Sequence, residues 1–153
     1  QLALGYATQA VAAISHAHAR KIIHCDVKPE NFILFPDNQL RLSDFGFSKI
    51  ALRTIKASGS GTLGYLAPEQ ALGRPMFQSD VFALGLVFYQ LFSGHLPDYP
   101  YKWPMPGYAR IRSKLRRRTI AWLHKSLEFR HQDRFRNGVA MEKAFRDIRL
   151  KLT

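Results

Sequence analysis

A mainly α-helical fold with short β-strands is what this sequence predicts, and three observations carry the prediction. Residues Leu2 to Ala19 are rich in alanine, and Leu2, Tyr6, Ala10, Ala13, Ile14 and Ala17 approximate an apolar stripe at helical spacing. Val81 to Phe92 is apolar nearly all round, as a helix in the centre of a core is. Only two runs, Phe32–Phe35 and Gln39–Leu42, read as a strand pair, with Pro36, Asp37 and Asn38 supplying the turn between them.

The remaining elements follow in order. Lys21-Ile22-Ile23 looks like a short strand leading out of the first helix. Residues 47 to 64 carry Ser58, Gly59, Ser60, Gly61 and Gly64, a loop composition. Asp80 is placed to cap the helix running from Val81, and Ser93-Gly94 ends it. Pro97, Pro100, Pro104, Pro106 and Gly107 mark a long irregular connection. Two or three helices complete the chain, about Ala109 to Leu127 with room for a break, and Val139 to Leu150. No repeat and no domain boundary is visible, so residues 1–153 read as one domain.

Bulk composition limits the function classes. The chain has 153 residues, 46% of them hydrophobic and 22% charged, enough for one real core. No apolar run approaches the length of a membrane span. No charged-then-apolar signal pattern opens the chain, which begins with Gln1 and so reads as a fragment. Cys25 is the only cysteine, which excludes an internal disulfide and fits a reducing, cytoplasmic setting. The histidines His16, His18, His24, His95, His124 and His131 show no metal-ligand pairing, and His16 and His18 face different sides of their helix. Net charge is +12, with a block at Arg110, Arg112, Lys114, Arg116, Arg117 and Arg118. Ile111, Leu115, Trp122 and Leu123 keep helical spacing through it, so a solvated helix face is preferred to a nucleic-acid or membrane site.

The chemistry concentrates in His24-Cys25-Asp26-Val27-Lys28-Pro29-Glu30-Asn31 and in Ser43-Asp44-Phe45-Gly46. Among their residues Asp26 and Asp44 bring two carboxylates, Lys28 a cation and Asn31 a carboxamide. Three further groups stand in order: Gly61-Thr62-Leu63-Gly64-Tyr65-Leu66-Ala67-Pro68-Glu69, then Asp80-Val81-Phe82-Ala83-Leu84-Gly85, then Asp133-Arg134-Phe135. These five motifs resemble the C-terminal lobe of eukaryotic-type Ser/Thr protein kinases over roughly Leu2 to Leu150.

The resemblance implies a protein-kinase-like C-lobe, the α+β kinase fold lacking its N-lobe. It implies a catalytic loop at 24–31, an activation segment at 44–69 and a buried central helix at about 80–92. Asp26 is then the catalytic base or hydroxyl orienter, and Lys28 the cation at the γ-phosphate. Asn31 and Asp44 are the ligands of Mg²⁺ (or Mn²⁺), and with Lys28 and Ile33 they mark the ATP site. Ile33 is equally explained as core packing on a strand. Phe45 and Gly46 complete the metal loop, and Thr62 marks the substrate side of the activation segment. His24, Glu69, Asp80 and Arg134 are structural supports: Glu69 pairs with Arg134, and Asp80 accepts hydrogen bonds from the loop near His24.

Two departures matter. Cys25 stands where most of the family has Arg, the residue that receives an activation-loop phosphate, so activity independent of that phosphorylation is expected. Phe82 stands for the usual Trp. No Gly-rich loop, strand lysine or helix glutamate precedes Leu2, so the chain reads as a C-lobe fragment with little activity until an N-lobe completes it. Its partners are then ATP, a protein bearing a Ser/Thr acceptor, and the missing N-lobe. Basic Lys49, Arg53 and Lys56 hint at acidic residues in the substrate. The alternative is an inactive truncated lobe or pseudokinase that serves as an interaction module, which retention of Asp26, Lys28, Asn31 and Asp44 disfavours. Nucleic-acid binding is disfavoured further, because no recognisable motif accompanies the basic block.

Overall fold

The computed structural model describes residues 2–45 and 64–150. Helix α1 spans Leu2–Ala19, and strands β1 (Phe32–Phe35) and β2 (Gln39–Leu42) form an antiparallel hairpin. Helices α2 (Pro68–Ala71), α3 (Phe77–Ser93), α4 (Tyr108–Lys114), α5 (Arg117–Ser126) and α6 (Gly138–Leu150) follow. Short 3-10 turns cover Pro29–Asn31, Pro36–Asn38 and His131–Asp133. This mainly helical architecture with one small hairpin is the one the sequence predicts. No helix among the described residues is long and apolar enough to cross a membrane.

Helix α3 is the axis of the core. Val81, Phe82, Leu84, Leu86 and Tyr89 are fully buried on it, and α1, α2, α4, α5 and α6 all pack against it. Each such side chain contributes about 1.5–3 kcal/mol relative to exposure. Gly85 admits α5 closely, since a Cβ there would stand 2.9 Å from Leu127 Cδ2. The helix starts at Phe77, earlier than the sequence reading. Asp80 therefore lies inside its first turn and caps nothing. Instead Ser79 Oγ accepts from the Met76 N–H at 3.1 Å. At the other end Gly94 takes φ 78 and its N–H returns to the Gln90 carbonyl; glycine accepts that left-handed geometry without strain.

Helix α1 buries Ala7, Ala10, Val11, Ile14, Ala17 and His18. Ala10, Ile14 and Ala17 of the predicted stripe lie on it, while Tyr6 and Ala13 are half-buried and Leu2 is exposed. Tyr6 instead donates to Asn38 Oδ1 at 2.9 Å, and Gln9 pins the hairpin by accepting from the Leu40 N–H and donating to the Asn38 carbonyl. The hairpin turn uses Asp37 and Asn38 at φ 63 and 58, residues that tolerate the left-handed region.

The strand expected at Lys21-Ile22-Ile23 does not form. The segment is used to stop α1: the Lys21 N–H bonds the His18 carbonyl and the Ile22 N–H bonds the Ala17 carbonyl, with Lys21 at φ 63. Both bonds satisfy carbonyls that the helix end would otherwise leave open.

The region from Ala109 to Leu127 breaks at Leu115 and Arg116, whose backbones are extended. Ile111, Leu115, Trp122 and Leu123 are buried, while the arginines of the basic block are exposed. Arg110 and Lys114 also donate to the Ser93 and Phe92 carbonyls, at the C-terminal end of α3. Cations are favoured there by the helix dipole.

Candidate active site

The loop from His24 to Asn31 hangs from one buried carboxylate. Asp80 Oδ2 accepts from the His24 N–H at 2.7 Å, and Oδ1 accepts from the Cys25 N–H at 2.9 Å. A third donor is His18. The Gly138 N–H donates to His18 Nδ1 at 2.7 Å, so the ring proton sits on Nε2, which donates to Asp80 Oδ2 at 2.9 Å. Asp80 is thus fully satisfied at 1% exposure, as a buried charge must be. The chain joins α6, α1, α3 and the loop in one network.

From this anchor the loop turns sharply. Cys25 adopts φ 67, and its carbonyl accepts from Gln70 Nε2 of α2 at 2.5 Å. The His24 ring is fully buried. Its Nδ1 accepts from the Asp26 N–H, so its Nε2 donates to the Ser43 carbonyl at 2.7 Å, tying the loop to the end of β2. Phe45 packs edge-on against that ring at 4.6 Å between centroids.

The reactive groups sit on the outer side of this frame. Lys28 Nζ is 3.0 Å from Asp26 Oδ2, and both side chains are about one-third exposed. Asn31 is buried and donates through Nδ2 to the Asp26 carbonyl at 2.7 Å and to Asp26 Oδ2 at 3.2 Å. Among the described residues no group donates to Asn31 Oδ1, which leaves a neutral oxygen available. Asp44 is exposed, at φ 61, with Oδ2 accepting from Ser43 Oγ at 2.8 Å. The Ser43 N–H donates to the Asn31 carbonyl at 2.8 Å, and its single hydroxyl proton can serve either that carbonyl at 3.1 Å or Asp44. Asp26, Lys28 and Asn31 therefore meet directly, and Asp44 is attached to them through Ser43.

The other predicted residues fall elsewhere. Ile33 is on β1 and nearly half exposed, so core packing does not account for it. Thr62 and Gly46 lie outside the described residues. Glu69 and Arg134 form a bidentate pair at 2.8 and 3.1 Å. Arg134 uses its remaining donors on the Gln78, Glu128 and Phe129 carbonyls and lies over the Phe82 ring at 4.4 Å. Burial acts to raise the Glu69 carboxyl, but the hydrogen bonds and charge of Arg134, with the Ser79 hydroxyl at 2.7 Å, hold it below the ordinary carboxylate value. Burial draws Arg134 down from its usual value against the pull of Glu69.

His18, Ser43, Gln70 and Gly138 are supports that the sequence reading does not single out. Their partners are distant in the chain, and a His on a helix face or a Gly at a helix start carries no local signal of them.

A family model described as the protein kinase domain matches residues 2–142. The chain belongs to the protein kinase family. Among the relatives of this kinase chain, mitogen-activated protein kinase kinase 9 of Arabidopsis thaliana is 35% identical over 104 residues, 63% of this chain and 34% of the relative. Calcium/calmodulin-dependent protein kinase type 1B of Homo sapiens is 40% identical over 95 residues, 60% of this chain and 28% of the relative. The serine/threonine-protein kinase PrkC of Bacillus subtilis is 38% identical over 99 residues, 62% of this chain and 15% of the relative. The matched stretch of this kinase chain thus spans no more than about a third of these relatives.

Proposed function

We propose that this chain supplies the catalytic-loop half of a Ser/Thr protein kinase, which transfers the γ-phosphoryl group of ATP to a protein hydroxyl once an N-lobe completes it. The observation that carries the reading is the convergence of Asp26, Lys28 and Asn31 within hydrogen-bond distance on a loop suspended from Asp80. Such positioning is most of what phosphoryl transfer asks of a protein.

Asp26 has one oxygen held by Lys28 and Asn31, so its carboxylate has a fixed direction. It orients the acceptor hydroxyl and takes up its proton as the new phosphorus–oxygen bond forms and the bond from the γ-phosphorus to the bridging oxygen breaks, with ADP as the leaving group. Lys28 places a point charge beside the same position and favours the anionic phosphoryl group. Asn31 Oδ1 and the Asp44 carboxylate are hard oxygen donors, which fits Mg²⁺ (or Mn²⁺) better than a softer metal. When bound, the ion neutralises charge on the β- and γ-phosphates. Among the described residues no group of three His, Cys, Asp or Glu could hold a metal unaided, which suits an ion that takes its other ligands from nucleotide and water. Acceptance by Ser/Thr is supported by the Asp-x-Lys-Pro-x-Asn form at Asp26–Asn31 and by the relative named a serine/threonine-protein kinase.

The test is phosphoryl transfer from labelled ATP by the full-length protein, with the modified residue identified. Phosphoserine or phosphothreonine should form, and Asp26→Ala should slow the reaction by about a hundredfold or more. A wild-type rate no higher than the variant's would defeat the catalytic reading.

A further inference from the structure

We infer that the groove between α5 and α6 is a docking site for an acidic protein segment that carries a bulky apolar side chain. The groove has a volume of about 410 Å³ and shares no residue with the catalytic loop or the hairpin. Trp122, Phe135, Ala144 and Ile148 give it an apolar floor. Arg118 and Lys125 line the α5 wall, one above the other at i and i+7. The one carboxylate in the lining, Asp147, is on the α6 wall.

Three observations select the occupant. First, the α5 wall lacks counter-charge: among the described residues no carboxylate pairs with Arg117, Arg118 or Lys125 of α5. The first turn of α5 carries arginines and no acid, so the helix dipole adds to the positive field. In a chain of net charge +12 this is complementary to an acidic partner. Second, the apolar lining is small, with Trp122 and Phe135 buried and Ala144 and Ile148 half-buried in a shallow groove, which suits one side chain and not the broad apolar face that inserts into a bilayer. Third, the aromatic rings are engaged. Trp122 is 5% exposed and its Nε1 donates to the Met141 carbonyl at 3.1 Å, and Lys125 lies over the Phe135 ring at 5.3 Å. No ring face in the lining is open for base stacking, which single-stranded nucleic acid requires.

The spacing sets the pattern recognised. Arg118 and Lys125 stand two helical turns apart, about 10.5 Å along the axis. The partner's carboxylates should be spaced to meet both, with the apolar side chain between them. They should follow the α5 wall and avoid Asp147.

The experiment uses the full chain and a fluorescein-labelled peptide, Glu-Glu-Asp-Leu-Phe-Asp-Glu-Glu, which has no hydroxyl acceptor and so no claim on the phosphotransfer site. Binding is read by anisotropy at physiological salt. Arg118→Glu/Lys125→Glu, at two exposed positions, should weaken it by about tenfold or more. Ala144→Trp, which fills the groove, should do the same, and Asp147→Asn should tighten it. Replacing Leu-Phe of the peptide by Gly-Gly should also weaken binding. Labelled oligouridylate and vesicles of phosphatidylserine and phosphatidylcholine are the comparison ligands. Tighter binding of either than of the peptide, or peptide binding indifferent to the Arg118/Lys125 reversal, would overturn the proposal.

Discussion

At Gly138 a hydrogen atom takes the place of a side chain, and the candidate active-site loop depends on it at long range. A Cβ there would lie 2.9 Å from the Ile14 carbonyl carbon and 2.9 Å from the Ser15 nitrogen, backbone atoms that cannot rotate away. The close approach lets the Gly138 N–H reach His18, fix its tautomer and so direct Nε2 at Asp80. Gly138→Ala should destabilise the fold by about 1–3 kcal/mol and lower activity out of proportion to the folded fraction. Chemical denaturation and turnover of the folded protein check the two effects separately. Cys25 makes a different claim. By the family resemblance it stands where an arginine would receive a loop phosphate, and on that reading Thr54→Ala, Ser58→Ala and Ser60→Ala together should leave the full-length protein's activity nearly intact. Those three positions lie outside the described residues, and a kinase assay decides the matter.

The pair that joins α2 to the segment before α6 belongs to the scale of elements. Arg134 satisfies five acceptors from buried ground, and Glu69 receives the guanidinium and the Ser79 hydroxyl on the same carboxylate. Removing one partner strands the other charge. Glu69→Ala should therefore cost about 3–5 kcal/mol, read from the urea midpoint. The pH dependence has a definite sign. The Glu69 carboxyl is lowered in the folded state relative to its ordinary 4.5. Its contribution is present above pH 4.5 and is lost as pH falls through the lower folded value. Wild type should lose stability across that acid window, and Glu69→Gln should show a shallower loss there. The same scale shows what the sequence can and cannot say. The all-apolar run on α3 announces a central helix, because burial on every side leaves no polar face. Its start is misread, because Asp80 looks like a cap locally and is instead spent on a loop 55 residues away. Lys21-Ile22-Ile23 has strand-forming residues, yet the helix-ending bonds of α1 take its backbone first.

Over the whole molecule, one buried helix and the network at its first turn hold a loop on which Asp26 and Lys28 are partly exposed and Asn31 is buried beside them. The order of motifs in the sequence already places Asp26, Lys28 and Asn31 on one loop, since they are six residues long in all. The contacts that hold that loop, from His18 and Gly138, span up to 120 residues and leave no local pattern. The central claim divides labour between two carboxylates: Asp26 acts on the acceptor, and Asp44 holds the metal–nucleotide. The most direct test measures Mg·ATP affinity and turnover together on the full-length wild type, Asp26→Ala and Asp44→Ala. Asp26→Ala should retain near wild-type Mg·ATP affinity while turnover falls by about a hundredfold or more, and Asp44→Ala should lose Mg²⁺-dependent nucleotide binding. Equal loss of affinity in both variants, or turnover unchanged in Asp26→Ala, would contradict the account.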